Sequence, residues 1–295
     1  MNRLIIPITL ILLLSCNKNK NTYDASGTFE AVETIVSSEA TGILKQFNIS
    51  EGNVLKAGET IGIIDSTQLY LKKKQLIAQI KTTLSQKPDI DKQLAIMKTQ
   101  LKALETEQKR VSNLLKADAA TQKQMDDINA QVDLIKKQME AHQSTLGIST
   151  ESINQQTLPL YVQIEQINDQ LAKCIVRNPL NGTVLTKYAE ANEMAISGKP
   201  LYKIADLSSI TLRAYISGAQ LASIKLNQQV SVLIDEPDGT FKEYKGIVEW
   251  ISNKAEFTPK TIQTKDERAN LVYAIKIRVK NDGFLKIGMY ADVKF

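Results

Sequence analysis

Residues 94–115 read LAIMKTQLKALETEQKRVSNLL and residues 125–146 read MDDINAQVDLIKKQMEAHQSTL. In the first run Leu94, Met97, Leu101, Leu104, Gln108, Val111 and Leu115 recur at alternating intervals of three and four. In the second, Met125, Ile128, Val132, Ile135, Met139, His142 and Leu146 do the same. That alternation is the seam of a coiled-coil helix, kept over about three heptads in each run and interrupted only by Gln108 and His142. Lys116 to Gln124 leave room for nothing but a tight reversal, so the two helices are antiparallel neighbours. Facing residues of an antiparallel hairpin have position numbers with a near-constant total. Leu115 with Met125, Gln108 with Val132, Leu101 with Met139 and Leu94 with Leu146 each total 240. Leu76 with Ile164, Ile80 with Leu160 and Leu69 with Leu171 keep the same total, so one register serves residues 66–173. Pro88 has no amide to donate and breaks the outgoing helix. On the return side, the polar stretch from Gly147 ends at Pro159, a residue suited to begin a helix. The expectation is a hairpin over 66–173, interrupted near 86–90 and 147–159, with arms on the order of 75 Å long for roughly 50 residues.

Two Gly-punctuated segments flank the hairpin and resemble one another. Gly42-Ile43-Leu44 leads through Gly52-Asn53-Val54 to Gly58 and an apolar run ending at Asp65. Gly182-Thr183-Val184 leads through Asn192-Glu193-Met194 to Gly198 and an apolar run ending at Asp206. In both, sixteen residues separate the leading and trailing glycines. Matched turns around short apolar strands imply two halves of one β-sandwich, 39–65 and 174–206, with the hairpin inserted between them. After Asp206 the chain reads as short strands at Ile210–Ile216, Val230–Ile234, Lys245–Ile251 and Leu271–Val279, with a short amphipathic helix around Gln220 to Leu226. Tyr273, Ile275, Ile277 and Val279 alternate with Lys276 and Arg278, as in a half-buried strand. With the strand-like Gly27 to Ser37, these make a small β-barrel from 27–38 and 207–295. The fold class is α+β multidomain: a small β-barrel, a split sandwich and a long antiparallel coiled-coil hairpin.

The chain opens with Arg3 and an apolar run, Leu4 to Leu14, too short for the roughly 20 residues that span a bilayer. Residues 1–15 therefore read as a cleaved signal peptide. Leu13-Leu14-Ser15-Cys16 resembles the lipobox of bacterial lipoproteins, although Leu14 stands where a small residue is usual. The likeness implies lipidation of Cys16, followed by a polar tether over 16–26. Cys174 is then the one remaining thiol, placed among apolar residues with no second Cys for a disulfide, and the single His142 cannot form a His metal cluster. The net charge of +5 lies in Lys-rich stretches mixed with acids, a solvated helical surface and no nucleic-acid footprint. No nucleophile elbow, phosphate-binding Gly loop or zincin His pair is present, so no catalytic residue and no metal site is expected.

A barrel, a split lipoyl-like sandwich and a nested hairpin behind a lipoprotein signal resemble the HlyD-type membrane fusion proteins, from about Gly27 to Phe295. The most specific stretches are Cys174-Ile175-Val176-Arg177-Asn178-Pro179-Leu180-Asn181-Gly182-Thr183-Val184 and Gly288-Met289-Tyr290-Ala291-Asp292-Val293. The resemblance implies a non-enzymatic periplasmic adaptor linking an inner-membrane transporter to a TolC-like outer-membrane channel. It also implies a homo-oligomeric ring, commonly of six subunits, and an anchor in the inner membrane. Arg110, Leu114 and Thr121 stand at the spacing of the channel-docking tip of such adaptors, with Thr in place of Ser. Arg can bond carbonyls or carboxylates of the channel, Leu packs, and the hydroxyl caps the second helix or reaches the partner. The stretch from Glu256 through Gln263-Thr264-Lys265 to Tyr273, with little sequence for a further membrane-proximal domain, looks like adaptors of ABC-type exporters; an RND-type partner is the alternative. A lipoyl-like fold also raises lipoate or biotin carriage, but the hairpin replaces the turn that bears the carrier Lys. Lys56 and Lys199 read as surface turn residues, and no cofactor is expected. The competing function is a structural coiled-coil envelope lipoprotein with no transport role. It shares the anchor and the hairpin but predicts neither the duplicated halves nor the tip pattern.

Overall fold

The structure is a computed structural model that describes residues 23–237, 239–257 and 271–295. The signal peptide, Cys16 and most of the 256–273 stretch lie outside the described residues. In chain order the elements are β1 (Ala25–Glu30), β2 (Glu33–Ser37), β3 (Gly42–Phe47), β4 (Val54–Leu55), β5 (Thr60–Ile64), α1 (Thr67–Ser85), α2 (Ile90–Lys116), α3 (Gln122–Lys173), β6 (Ile175–Arg177), β7 (Gly182–Lys187), β8 (Met194–Ala195), β9 (Pro200–Ala205), β10 (Ser209–Ser217), α4 (Gly218–Leu221), β11 (Gln229–Asp235), β12 (Phe241–Ile251), β13 (Glu256–Phe257), β14 (Leu271–Lys280) and β15 (Tyr290–Lys294). Among the described residues no helix is long and apolar enough to cross a membrane.

Six strands close into a barrel in the order β10-β1-β15-β11-β12-β14, with β14 returning to pair with β10, and β13 adds to β14. Closure leaves no open edge among these six. The alternation read from the sequence places the core: on β10, Ile210, Leu212, Ala214 and Ile216 point inward and are fully buried beside Ile275, Ile277 and Val279. Two boundaries differ from expectation. The tether ends before residue 24, because the Asp24 amide donates to the Val293 carbonyl at 2.8 Å and Ala25 is buried in the barrel core. β2 pairs with β9 of the sandwich, so of 27–38 only β1 joins the barrel. The chain leaves the barrel at Ala31-Val32, where Val32 is 87% exposed. The helix placed around 220–226 is shorter and earlier, at Gly218–Leu221, because Ser217 and Gln220 form a capping box that starts it there.

The sandwich has two four-stranded sheets, β2-β9-β7-β4 and β6-β5-β3-β8. Its halves are one structure repeated 140 positions on. Val54 pairs with Thr183 and Leu55 with Gly182, while Met194 pairs with Ile43 and Ala195 with Gly42. The same offset relates Ile35–Lys203 and Val36–Tyr202 to Ile175–Ile63 and Val176–Gly62. Each half thus completes the sheet of the other. Gly52 and Asn192, at φ 87° and 72°, occupy equivalent turns in the left-handed region, which Gly and Asn tolerate best. Leu44, Ile64, Leu201, Tyr202 and Ile204 form the shared core at zero exposure. Buried Asn178 is satisfied on all sides: it donates to the carbonyls of Lys56 (2.9 Å) and Leu180 (2.6 Å) and accepts from the Tyr202 hydroxyl (2.9 Å). Burial raises the pKa of both Tyr202 and Cys174, and the Cys174 thiol lies against the Gln170 carbonyl at 3.3 Å.

The hairpin corrects one expectation. The outgoing arm is broken over 86–89, between α1 and α2, and Asp89 caps the restart by accepting from the Lys92 amide at 3.1 Å. The return arm is not interrupted at 147–159: α3 runs unbroken for 52 residues with Pro159 inside it. Its seam continues through His142, Leu146, Thr150, Ile153 and Thr157, all buried or half-buried. Two successive four-residue steps there form a stutter, which locally unwinds a coiled coil without breaking it. Thr150 and Thr157 turn their hydroxyls back onto the Leu146 and Asn154 carbonyls, hiding polar groups at the seam. Pro159 sits on the exposed side, where only one helical hydrogen bond is forfeited.

Candidate functional site

The free end of the hairpin is built by its sequence, residue by residue. α2 stops at Lys116 because Asp118 takes φ 54°. The Ala119 amide then donates to the Leu114 carbonyl at 2.8 Å and the Asp118 amide to the Leu115 carbonyl at 3.1 Å, the paired bonds of a Schellman ending. α3 starts at once with a capping box. The Gln124 amide donates to Thr121 Oγ1 at 3.3 Å, and the Thr121 amide donates to Gln124 Oε1 at 2.7 Å. Five residues, 117–121, make the whole reversal.

Arg110, Leu114 and Thr121 all lie at this end and all are exposed. Arg110 and Leu114 share one side of α2 and, with Val111, Ala119, Ala120, Gln124, Asp127 and Ile128, line an open groove of about 310 Å³ across both helices. Thr121 is not among its lining; its hydroxyl is engaged in the cap. Arg110 donates twice to Glu107 Oε1, at 2.6 and 3.2 Å, and this pairing raises the pKa of the guanidinium further. Both partners are largely solvated, so the pair holds the Arg in place without burying its charge. The groove mixes apolar side chains, Val111, Leu114, Ala119, Ala120 and Ile128, with polar and charged ones that include Arg110, Glu107, Gln124 and Asp127. It suits a helical or loop partner offering an apolar side chain with carbonyls or carboxylates beside it. Sequence reasoning missed Glu107 and the Gln124 half of the cap. The signals were there, an acid three residues before Arg110 and Gln three after Thr121.

Below the tip two polar contacts tie the helices together. Gln108 donates to Asn129 Oδ1 at 2.7 Å, and Lys136 pairs with Glu105 at 3.7 Å. His142 is half-buried on the seam, as read. Lys56 is exposed in its turn, and Lys199 reaches Glu193 at 3.3 Å. Among the described residues no three His, Cys, Asp or Glu side chains are grouped to hold a metal ion.

No family model matches the chain. Over 119 residues it is 35% identical to the UPF0194 membrane protein YbhG of Salmonella arizonae. The match spans 40% of this chain and about a third, 35%, of that relative. Among solved structures, MacA from Actinobacillus actinomycetemcomitans aligns over 92% of this chain and 76% of its own, with a TM-score of 0.53 and 20% identity. A MacA–MexA chimera containing the Pseudomonas aeruginosa MexA α-hairpin domain aligns over 92% and 82%, with a TM-score of 0.52 and 18% identity. On this likeness the chain has the membrane fusion protein, or periplasmic adaptor, fold.

Proposed function

We infer that this protein is a non-enzymatic periplasmic adaptor that couples an inner-membrane transporter to a TolC-like outer-membrane channel for efflux or secretion. The observation that carries this is the hairpin: α3 alone extends about 78 Å for its 52 residues and ends in a solvent-facing groove formed around Arg110 and Leu114. A long arm with a groove at its far end is suited to reaching a partner across a gap. Cys16, lipidated, supplies the anchor, with the inner membrane as its site, and copies of the chain assemble into a ring of hairpins. Resemblance around Glu256 and Leu271-Val272-Tyr273 favours an ABC-type transporter as the source of energy, ahead of an RND-type one.

The test is photo-crosslinking in living cells from probes replacing Leu114 and Thr121 in turn, with the adducts identified by mass spectrometry. Capture of a TolC-like channel is expected, more strongly from position 114 than from 121, where the side chain is tied into the cap. Adducts only with unrelated envelope proteins would leave a structural lipoprotein as the better reading.

A further inference from the structure

The outer wall of the barrel carries a row of residues that neither its core nor the hairpin accounts for. Ser231 on β11 lies in register with Lys245 on β12 and with Lys294 on β15. Its neighbours Val230 and Val232 point into the core, so Ser231 and the two lysines stand side by side on the outside. Strands lie about 4.8 Å apart, so the two lysine backbones are about 10 Å apart with the Ser231 backbone between them. The row lines an open groove of about 490 Å³ together with Gln229, Glu243 and Phe295. Ser231 donates to Glu243 and holds its carboxylate one row farther from the end where β11 begins.

That end is also where the chain enters the barrel. The Phe295 amide donates to the Asp24 carboxylate at 2.9 Å, and Gln220 Nε2 donates to the Asp24 carbonyl at 2.6 Å. The turn after α4 closes it: Ile224 is buried in the barrel core, and the Asn227 amide donates to the Val248 carbonyl at 2.8 Å. Leu226 (58%), Leu271 (50%), Trp250 (40%) and Tyr23 (38%) are left exposed there. Lys225, Lys245, Lys254 and Lys294 are exposed as well, and among the described residues none of them enters an ion pair. Lys276 lies over the Trp250 ring at 5.6 Å, and Glu249 is taken up by Arg278. Aromatic and apolar side chains interspersed with lysines suit the headgroup layer of an anionic bilayer, where apolar parts enter the boundary and ammonium groups meet phosphates.

We propose that this end of the barrel is a peripheral membrane surface, seated on anionic phospholipid with headgroup phosphates at Lys245 and Lys294 and with Leu226 and Trp250 in the interfacial layer. The reach of the chain makes lipid the occupant. Cys16 and Tyr23 are seven positions apart, and however that segment lies it spans at most about 25 Å. With Cys16 acylated, Asp24 and the row beside it are held within that distance of the bilayer. An acyl anchor alone fixes a distance and not a tilt. A barrel end seated on headgroups also points the sandwich and hairpin, which leave from the opposite ends of β1 and β10, away from the membrane. The surface is argued from this chain's side chains; its nearness to a membrane rests on the lipid anchor of the adaptor reading.

The experiment uses the full lipidated chain, reconstituted without a transporter into vesicles of equal parts phosphatidylglycerol and phosphatidylcholine, the latter brominated near the headgroup end of its acyl chains. Trp250 is the single Trp of the chain, so its emission reads the contact. Against unbrominated vesicles that emission is expected to fall by about half, as for a Trp at the lipid–water boundary. Lys245→Glu combined with Lys294→Glu is expected to remove most of the quenching, as are vesicles of phosphatidylcholine alone and high salt. Lys72→Glu combined with Lys81→Glu, an equal change of charge on exposed positions of α1, is expected to leave it intact. Flotation with the vesicles reads the anchor separately. Protein that floats while Trp250 stays unquenched overturns the contact, leaves the anchor standing and assigns the patch to a protein partner. Undiminished quenching in the Lys245 and Lys294 double variant, or without anionic lipid, overturns the phosphate contact. Protein that neither floats nor is quenched overturns anchor and contact together.

Discussion

The sandwich and the hairpin are each made of two parts, held together in opposite ways. In the sandwich, β4 of the first half completes the sheet of β7 and β9, and β8 of the second completes that of β3 and β5, around side chains at zero exposure. Neither half has a finished core alone. In the hairpin the arms meet along a single seam, most of whose positions are only half-buried, and the outgoing arm is cut at 86–89. Interlocked sheets make every residue depend on distant ones. A two-helix seam spreads its stability over many small, replaceable contacts, and so can extend far without a thick core.

The largest expected effects separate the two directly. Leu44→Ala in the sandwich core should cost about 2–5 kcal/mol as a buried cavity, whereas Leu104→Ala on the half-exposed seam should cost about 1 kcal/mol. Urea unfolding, with sheet and helix signals followed separately, compares them, and equal losses would break the contrast. Next come the equivalent glycines. A Cβ at Gly182 would lie 2.5 Å from the Ala205 carbonyl oxygen, while at Gly42 its nearest neighbour is the Ile64 side chain at 2.9 Å. Gly182→Ala should therefore cost about 1–3 kcal/mol and Gly42→Ala less, because a side chain yields more easily than backbone. Equal costs would show that the halves are alike in tolerance as well as in shape.

Pro159→Ala should stabilise the hairpin by about 1–2 kcal/mol, the interior-proline penalty of about 3 reduced by the freer unfolded chain. Pro88→Ala should change little, because Asp89 still caps α2; thermal unfolding of the helical signal measures both. The smallest effect is acid loosening at the sandwich–hairpin junction. Hydrogen bonds from Thr67, with Lys45 nearby, lower the Asp65 pKa to about 2. A lowered carboxylate pKa contributes stability at pH values above the unfolded carboxylate pKa, and that contribution is lost as pH falls through the folded value. Amide exchange at Thr67 should stay protected to about pH 3 and quicken below it. Loss of protection at pH 4 to 5 would mean that the cap does not hold the junction.

Much of this was legible beforehand for a definite reason. The seam of 94–115 and 125–146 is a local periodicity, and the total of 240 holds along the hairpin because an antiparallel pair leaves no other register once the turn is fixed. The place of Arg110, Leu114 and Thr121 followed from it, since a short turn puts whatever flanks it at the tip; their choice as docking residues came from the resemblance to adaptors. The paired glycines announced the duplicated halves. The repeat of Ile35-Val36-Ser37-Ser38 as Ile175-Val176-Arg177-Asn178, 140 positions on, would have moved β2 from barrel to sandwich had it been weighed. Pro159 misled because a proline's local penalty is fixed while its tertiary context is not.

The sequence by itself determined the hairpin, its register, its tip and the presence of two related halves, because helix period, turn length and glycine spacing are properties of neighbouring residues. Only the tertiary structure decided that α3 runs unbroken past Pro159, that β1 and β2 part company at Val32, and that the halves exchange strands. Each of those outcomes depends on which distant surface is there to pack against, and a long seam or a foreign sheet edge can outweigh a local preference of a few kcal/mol.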